Sequence, residues 1–343
     1  MPEAAKLQIE KIVTDILGTI EREREREIIS RRFGLFDRKE TLEQIGELLG
    51  ITRERVRQLE KAVVSRLKSQ AESGQMPHIE MVQDAFIEML GNMGNVSRIS
   101  DISAKLNKEN NRIDQSRVSF LATLSPKLVV IDDNDFYFHS VALLSVHDEK
   151  KVKKLVDQII TAVKQIGEPA TIDQVAKAAG MENTKQVAAL ASVSKALATL
   201  NGRWGLIKWP MVNPKNIRDK IYVILKEHGK HMHFNEIADA IKASDFKRKD
   251  VTTQAIHNEL IKDKRFVLIG RGIYALKEWG YERGTVSDII TKVLKKAGEP
   301  LHRDEIVKQV LKSRYVKETT ILLNLQGKQQ FKRVAKATYT LAE

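Results

Sequence analysis

The sequence contains no cysteine, which excludes disulfide bonds, thiol nucleophiles and thiolate zinc sites. No apolar run approaches the roughly 18 residues that a membrane-spanning helix needs, and the first ten residues lack the shape of a signal peptide. A glycine-rich phosphate loop, a nucleophile elbow and a His-Glu-x-x-His motif are also missing. We therefore expect a cytoplasmic protein that is not an enzyme, uses no cofactor and binds no membrane.

Positive charge is concentrated towards the C-terminal end. The 343 residues carry a formal net charge of +13. Residues 213–343 hold 27 Lys and Arg against 16 Asp and Glu, whereas residues 1–72 hold 15 against 14. A basic segment of this kind indicates a polyanionic partner such as DNA or RNA. The alternative is a solvated basic surface that only keeps the protein soluble.

Residues 41–68 have the pattern of a helix-turn-helix. Thr41 and Gln44 can form a capping box at the start of the first helix, and Gly50 supplies the turn, where a positive φ costs least. Thr52 is a candidate N-cap for the second helix. The apolar stripe of that helix consists of Val56, Leu59, Val63 and Leu67.

The opposite face of the second helix carries side chains suited to base edges. These are Arg53, Glu54, Arg57 and Gln58. Arginine can pair bidentately with guanine, glutamine can pair with adenine, and glutamate can accept from cytosine. The pattern therefore predicts a helix that reads the major groove. A helical hairpin with an ordinary solvated face is the alternative.

This stretch resembles region four of the sigma-70-type sigma factors of bacterial RNA polymerase. The resemblance covers about residues 10–70, and it is strongest in ITRERVRQLE at residues 51–60. EREREREIISRRFG at residues 21–34 matches the first half of that region. The resemblance implies that the outer face of the helices before the helix-turn-helix docks on the polymerase flap.

The resemblance also assigns roles within the second helix. The residues matching Arg53, Glu54 and Gln58 read the promoter −35 element in that family, and those matching Thr52, Arg55 and Arg57 hold the DNA backbone. The residues of this segment that we expect to bind DNA are Thr52, Arg53, Glu54, Arg55, Arg57, Gln58 and Lys61. In sigma factors this region closes the chain, whereas here it opens it, and nothing resembles the aromatic-rich region that melts the −10 element. We therefore expect a regulator rather than a complete sigma factor.

A glycine-led pattern recurs four times after residue 73. Its glycines are Gly94, Gly167, Gly229 and Gly298. Each follows an amphipathic helix pattern and precedes a short helix, and alternating apolar residues around a turn close each repeat. The predicted strand pairs are Leu128–Ile131 with Phe136–His139, Phe266–Ile269 with Ile273–Leu276, and Phe331–Val334 with Thr338–Leu341, and a shorter hairpin lies within Trp204–Trp209. Three helices and a hairpin are the plan of a winged helix-turn-helix.

The predicted fold is mainly α: a helix-turn-helix domain followed by tandem winged helix-turn-helix domains with small β-hairpin wings. The expected boundaries are 1–72 for the sigma-like domain, then 73–146, 147–212, 213–279 and 280–343 for repeats one to four. Because the spacing is less regular than in a solenoid, we expect discrete modules rather than one stacked core.

Repeat three resembles the HARE helix-turn-helix family over residues 217–276, and repeat four looks like a diverged copy. That winged domain occurs in the RNA polymerase delta subunit and beside chromatin and restriction factors, which implies DNA binding or contact with polymerase machinery. Residues 252–261 would be its recognition helix. The outward-facing residues expected there are Thr253, Gln254, His257 and Asn258, and the basic residues expected to border the wing are Lys262, Lys264, Arg265 and Arg271.

Two further clusters have competing interpretations. The histidines of HGKHMH at residues 228–233 suggest a metal, but they fall in an interhelical loop and no carboxylate completes an obvious shell, so we expect no metal. The aromatic residues near the wings are Trp204, Trp209, Tyr274 and Trp279. They could stack on bases, but packing within the hairpin cores is the favoured interpretation.

Together these patterns predict a sequence-specific DNA-binding transcription regulator in the cytoplasm, associated with the nucleoid. Double-stranded DNA is the first expected partner and bacterial RNA polymerase core is the second. The alternative is an RNA polymerase accessory or adaptor protein that acts through protein contacts.

Overall fold

The computed structural model describes residues 7–107, 109–246, 248 and 250–342. Contacts divide the chain into two compact units, of which the first ends at Lys208 and the second begins at Trp209. The described residues are mainly helical and carry small antiparallel sheets, as the sequence predicts. Within these ranges, no helix combines the length and the apolar character that crossing a membrane requires.

The first unit begins with four helices and continues with repeats one and two. The first helices are α1 (Ile9–Gly18), α2 (Glu23–Phe33), α3 (Leu42–Leu49) and α4 (Arg53–Glu72). Repeat one consists of α5 (Pro77–Met93), β1 (Val96–Arg98), α6 (Ile99–Leu106), α7 (Arg112–Leu124), β2 (Leu128–Ile131) and β3 (Ser140–Leu143). Repeat two consists of α8 (Glu149–Ile166), β4 (Ala170–Thr171), α9 (Ile172–Ala178), α10 (Thr184–Val193), β5 (Leu197–Leu200) and β6 (Arg203–Leu206).

The second unit contains repeats three and four in the same element order. Repeat three consists of α11 (Ile217–His228), β7 (Met232–His233), α12 (Phe234–Ala243), α13 (Thr253–Lys262), β8 (Phe266–Gly270) and β9 (Ile273–Leu276). Repeat four consists of α14 (Val286–Ala297), β10 (Leu301–His302), α15 (Arg303–Ser313), α16 (Glu318–Gly327), β11 (Phe331–Ala335) and β12 (Thr338–Leu341). A short 3₁₀ helix, Lys277–Trp279, follows β9.

The four sheets share one topology. Each has three antiparallel strands with the last strand in the middle, in the orders β1-β3-β2, β4-β6-β5, β7-β9-β8 and β10-β12-β11. The strand that opens each sheet has only two or three residues and directly precedes the second helix of its repeat. These opening strands were not predicted, because so short an extended segment leaves no alternating pattern.

The four repeat glycines each end the first helix of their repeat in the left-handed conformation. Their φ values are 91° for Gly94, 77° for Gly167, 72° for Gly229 and 69° for Gly298. In every case the glycine amide donates to the carbonyl four residues earlier, which satisfies one of the free carbonyls at the helix end. The repeat marker seen in the sequence is therefore a helix C-cap.

One hydrophobic core crosses the predicted boundary at residues 72 and 73. It joins Val13 and Ile16 of α1, Leu67 of α4, Phe86 of α5 and Phe120 of α7, all of which are at most 2% exposed. The expectation of discrete modules is therefore wrong for this part of the chain. Amphipathic helices predict an apolar face but do not reveal which neighbour covers it.

Two hairpins differ from their sequence predictions. In repeat one, Ser140–Leu143 pairs with β2, and Phe136–His139 does not form that strand. The Asn134 side-chain oxygen accepts the amides of Phe136 and Tyr137 at 2.8 and 3.0 Å, which turns the backbone away. The amide of Phe138 then donates to Val193 at 2.9 Å, so this segment joins repeat two. The hairpin of repeat two is Leu197–Leu206 around a turn at residues 201–202, and Trp209 lies outside it.

Candidate nucleic-acid interface

The helix-turn-helix forms as its capping residues predict. Thr41 accepts the amide of Gln44 at 3.3 Å, and the Gln44 side chain accepts the Thr41 amide at 2.9 Å, which completes the capping box. Gly50 has a φ of 64° at the turn, and the Thr52 hydroxyl accepts the Arg55 amide at 3.2 Å. Ile51 packs against the small core between the two helices. These predictions are confirmed.

Gly46 sets the distance between α3 and α4, and no sequence signal singled it out. A Cβ atom built on Gly46 would lie 2.7 Å from the Ile51 carbonyl oxygen and 3.4 Å from the Arg53 amide nitrogen. Both atoms belong to the backbone, so side-chain rotation cannot relieve the contact. Only glycine lets α3 approach the first turn of α4 this closely.

α4 is anchored along its length to α2. The buried carboxylate of Glu25 accepts a hydrogen bond from Arg66 at 2.9 Å, and this bond lowers the pKa of Glu25 despite its burial. Arg32 donates to Glu60 at 3.2 Å nearer the middle of α4. Together with the buried apolar stripe, these contacts fix the orientation of the exposed face of α4.

The N-terminal face of α4 is exposed and its side chains pair with one another. Thr52, Arg53, Glu54, Arg55, Arg57, Gln58 and Lys61 are all exposed. Arg57 donates two hydrogen bonds to Glu54, at 2.7 and 2.8 Å, and Gln58 donates to the same carboxylate at 3.3 Å. Arg53 pairs with Glu43 of α3 at 2.8 Å. The structure thus brings the sequence-predicted residues of α4 together on one surface.

The hydrogen bonds from Arg57 lower the pKa of Glu54 to about 2 and raise the pKa of Arg57. Glu54 therefore stays ionised throughout the physiological range, and both members of the pair keep their charge. Ion pairs between exposed side chains of this kind stabilise a protein only slightly, because water and salt screen them. They order the side chains without preventing an exchange of partners.

The third helices of repeats one and two are packed inside the first unit. On α7, Val118, Phe120 and Leu121 are fully buried, and the Phe120 ring meets that of Phe33 of α2 with centroids 4.9 Å apart. On α10, Val187 and Leu190 are fully buried. A Cβ at Gly94 would lie 2.7 Å from the carbonyl oxygen of Lys185, so repeat one approaches α10 closely. Neither helix offers a long free face to a DNA groove.

The third helices of repeats three and four are more open. On α13, Gln254 and Asn258 are exposed and share a hydrogen bond of 3.1 Å. Thr253 is half-buried, and the half-buried ring of His257 lies 5.0 Å from that of Phe234. On α16, Leu323 is 68% exposed. The faces predicted for α13 therefore exist, although His257 packs against its own repeat.

The basic residues around the β8–β9 hairpin of repeat three divide into two groups. Arg271 is exposed at the turn between β8 and β9. Arg265 instead pairs with Asp219 at 3.2 Å and with Asp263 at 2.8 Å, which links α11 to the start of β8. Arg265 does lie next to the β8–β9 hairpin, but its guanidinium already joins two elements. Lys262 and Lys264 are exposed.

Two of the clustered histidines and two of the aromatic residues occupy structural positions. The imidazole of His233 accepts a hydrogen bond from the Asn235 amide at 3.3 Å. The backbone amide of His233 donates to the Glu236 carboxylate at 2.8 Å, as part of a capping box. The His231 ring lies 4.3 Å from that of Tyr315, whereas His228 ends α11 and is exposed. Tyr274 is 3% exposed, and Trp279 packs against the wing core of repeat three.

α3 and α4 define a helix-turn-helix with an exposed polar face at the start of α4. Residues 22–69 match the family Sigma-70, region 4, and form such a domain.

RNA polymerase sigma factor RpoD of Helicobacter pylori is 44% identical over 71 residues, which are 20% of this chain and 10% of the relative. RNA polymerase sigma factor SigA of Listeria monocytogenes is 40% identical over 75 residues, 22% of this chain and 19% of the relative. RNA polymerase sigma factor sigB of Arabidopsis thaliana is 40% identical over 72 residues, 21% of this chain and 12% of the relative. The chain thus spans only 10 to 19% of the length of these curated relatives.

Proposed function

We propose that this chain is a sequence-specific DNA-binding transcription regulator in which α4 enters the major groove of a promoter-type site. The observation that carries the proposal is the exposed row of hydrogen-bonding side chains at the start of α4, within a Sigma-70 region 4 domain. Arg53, Glu54 and Gln58 would contact base edges. The contacts to the DNA backbone would come from Thr52, Arg55, Arg57 and Lys61.

The ion pairs of the free protein are compatible with this role. An exposed pair such as Arg53–Glu43 is worth about 0–1 kcal/mol, whereas a bidentate arginine–guanine contact is worth about 1–3 kcal/mol of discrimination. Binding is therefore favoured when Arg53 leaves the Glu43 carboxylate and pairs with the correct base. At a wrong base, Arg53 would keep its pair with Glu43, so the small energy of that pair is subtracted from the discrimination and most of the discrimination remains.

For the rest of the chain we propose four winged helix-turn-helix domains with boundaries at 73–146, 147–212, 213–279 and 280–343, following a first domain at 1–72. The element order and the shared three-stranded topology support this proposal. We propose that repeats three and four are HARE-like and add non-specific DNA or polymerase contact, and that the protein is not an enzyme. The residues proposed to bind DNA in repeat three are Thr253, Gln254, His257, Asn258 and Arg271.

Selection of binding sites from random duplexes at two salt concentrations tests the proposal. We expect one enriched sequence, and each of Arg53→Ala and Gln58→Ala should cost about 1–3 kcal/mol on it while relaxing one base position. Lys11→Ala on α1 is the matched control, because Lys11 is exposed and lies outside the recognition face. A double variant of Arg53 and Gln58 that binds the selected site as tightly as the wild type would refute sequence reading by α4.

A second candidate function is that of a polymerase accessory or adaptor. Exposed apolar side chains on the third helices favour it, because Ile261 of α13 is 57% exposed and Leu323 of α16 is 68% exposed. Such residues suit a protein partner better than a phosphate backbone. A pull-down with core polymerase from nuclease-treated extract distinguishes the two functions. Retention of polymerase by a chain without DNA affinity would favour the adaptor.

A further inference from the structure

A cleft of about 800 Å³ lies between the loop after α2 and the first turns of α7. We call it the basic cleft. The cationic side chains on its walls are Arg38, Lys39, Arg98 and Arg112, and hydroxyls of Ser100 and Ser116 lie among them. Three parts of the chain that are distant in sequence thus bring positive charge to one place.

Three of these cations are available to a ligand. Arg38, Lys39 and Arg112 are exposed, and in the part of the chain that the structure describes none of them forms an ion pair. The arginines nearby are paired: Arg31 with Glu40 at 2.9 Å, Arg32 with Glu60 at 3.2 Å and Arg117 with Glu10 at 3.0 Å. These paired arginines therefore contribute little uncompensated charge, whereas Arg38, Lys39 and Arg112 remain unpaired at the cleft, next to the exposed carboxylate of Asp37.

The loop that lines the basic cleft leads directly into α3. Lys39 lies two residues before Thr41, which caps α3. Glu43 in the first turn of α3 reaches Arg53 in the first turn of α4 at 2.8 Å. A DNA backbone that passes the N-terminal end of α3 would therefore lie near Arg38 and Lys39.

Three carboxylates also line the cleft. They belong to Asp37, Asp132 and Asp133, and Asp133 pairs with Lys195 at 3.0 Å. Repulsion from these carboxylates disfavours an anion that is enclosed within the cleft. The three free cations are on the exposed rim, which suits a backbone passing over the cleft better than a small anion enclosed within it.

We propose that the basic cleft binds the phosphate backbone of the duplex that flanks the site read by α4, so that repeat one lengthens the DNA footprint. The inference rests on the proposed function, because α4 fixes where the duplex lies. Arg38, Lys39 and Arg112 neutralise phosphates without reading bases, so the contact holds position and is independent of the flanking sequence. Repeat one thereby contacts DNA through Arg112, the exposed first residue of its otherwise packed third helix.

Fluorescence anisotropy of the full chain on duplexes of two lengths tests the proposal. One duplex carries only the selected site, and the others extend it by about one helical turn on either side. Each lost phosphate contact should reduce the slope of log K against log salt by about 0.9. The double variant Lys39→Ala, Arg112→Ala should therefore lose about 1.8 in slope on one extended duplex. On the short duplex it should bind like the wild type, and Lys11→Ala should leave every slope unchanged.

Two results would overturn the proposal. An unchanged slope for the double variant on both extended duplexes would show that the cleft does not touch the backbone. An equal loss of slope on the short and the extended duplexes would show that these cations contact the selected site itself and not its flank.

If no sequence is enriched, random duplexes of the two lengths replace the selected ones. A length-dependent loss there would keep the cleft proposal while sequence reading by α4 fails.

Discussion

Gly46→Ala should distort the helix-turn-helix, because α3 and α4 are in contact at this residue. The added Cβ would lie 2.7 Å from the Ile51 carbonyl oxygen and 3.4 Å from the Arg53 amide nitrogen. Alanine is ordinarily favoured over glycine within a helix by about 0.8–1 kcal/mol, but overpacking typically costs about 1–3 kcal/mol. Because the atoms that crowd the added Cβ belong to the backbone and cannot rotate away, the overpacking cost should lie in the upper part of the range of about 1–3 kcal/mol. We expect a net loss of about 1–2 kcal/mol in the free energy of unfolding.

Gly91→Ala is the matched control for this substitution. Gly91 also lies within a helix, α5, but a Cβ there would meet nothing within 4 Å. Gly91→Ala should therefore stabilise the protein by about 0.5–1 kcal/mol. Urea unfolding followed by circular dichroism compares the two variants. Equal stabilisation by both would show that the α3–α4 crossing accepts a side chain, and the steric reasoning would then be refuted.

DNA affinity provides a second measurement on Gly46→Ala. A domain stable by about 5 kcal/mol or more remains folded after a loss of 1–2 kcal/mol, so a fall in affinity would report geometry rather than unfolding. Because Arg53 follows directly after the crowded contact, its guanidinium should be displaced from the base edges. We expect at least a tenfold weaker binding to the selected site, on the order of 1.4 kcal/mol. Unchanged affinity would contradict the placement of the recognition face.

The remaining predictions concern charged residues. The pKa of Glu25 is lowered by Arg66, so its contribution to stability is present at neutral pH and is lost as the pH falls below about 4.5 and through the folded-state pKa. Glu25→Gln should therefore lower stability at pH 7 and flatten its acid dependence, and a pH series of unfolding midpoints that parallels the wild type would contradict this. Arg265→Ala should destabilise the second unit because Asp219 and Asp263 lose their partner. Arg271→Ala should instead leave the unfolding midpoint unchanged and reduce the salt dependence of DNA binding by about 0.9 in slope; a shifted midpoint would give Arg271 a structural role.

Local features of the fold were predictable because their signals are local. The capping box of Thr41, the turn at Gly50 and the cap at Thr52 each depend on residues within one helical turn. The hairpins of repeats three and four were predicted within one residue, because apolar alternation and the turn lie in one short stretch. The exposed face of α4 followed in the same way from helical spacing.

Features that depend on tertiary contact were not predictable. Gly46 looks like any helical glycine in the sequence, because its function comes from the backbone of Ile51 across the turn. The Arg53–Glu43 pair joins two helices whose crossing is not encoded in either one. The segment 136–139 has an alternating pattern, but the amides of Phe136 and Tyr137 donate to the Asn134 side chain, and pairing with repeat two redirects the segment.

Burial of the third helices agrees with the distribution of charge along the chain. Repeats one and two bury α7 and α10 within the first unit, and residues 73–212 contain nearly equal numbers of acidic and basic residues. Repeats three and four keep exposed faces on α13 and α16, in the segment that holds 27 basic against 16 acidic residues. A surface that contacts a polyanion must be both basic and uncovered. α13 carries one lysine and one glutamate, and α16 carries one glutamate and no basic residue, so the excess positive charge of the second pair lies outside its third helices. We therefore expect the first pair mainly to support α4 and to bind through the basic cleft, and the second pair to supply most of the non-specific salt-dependent affinity.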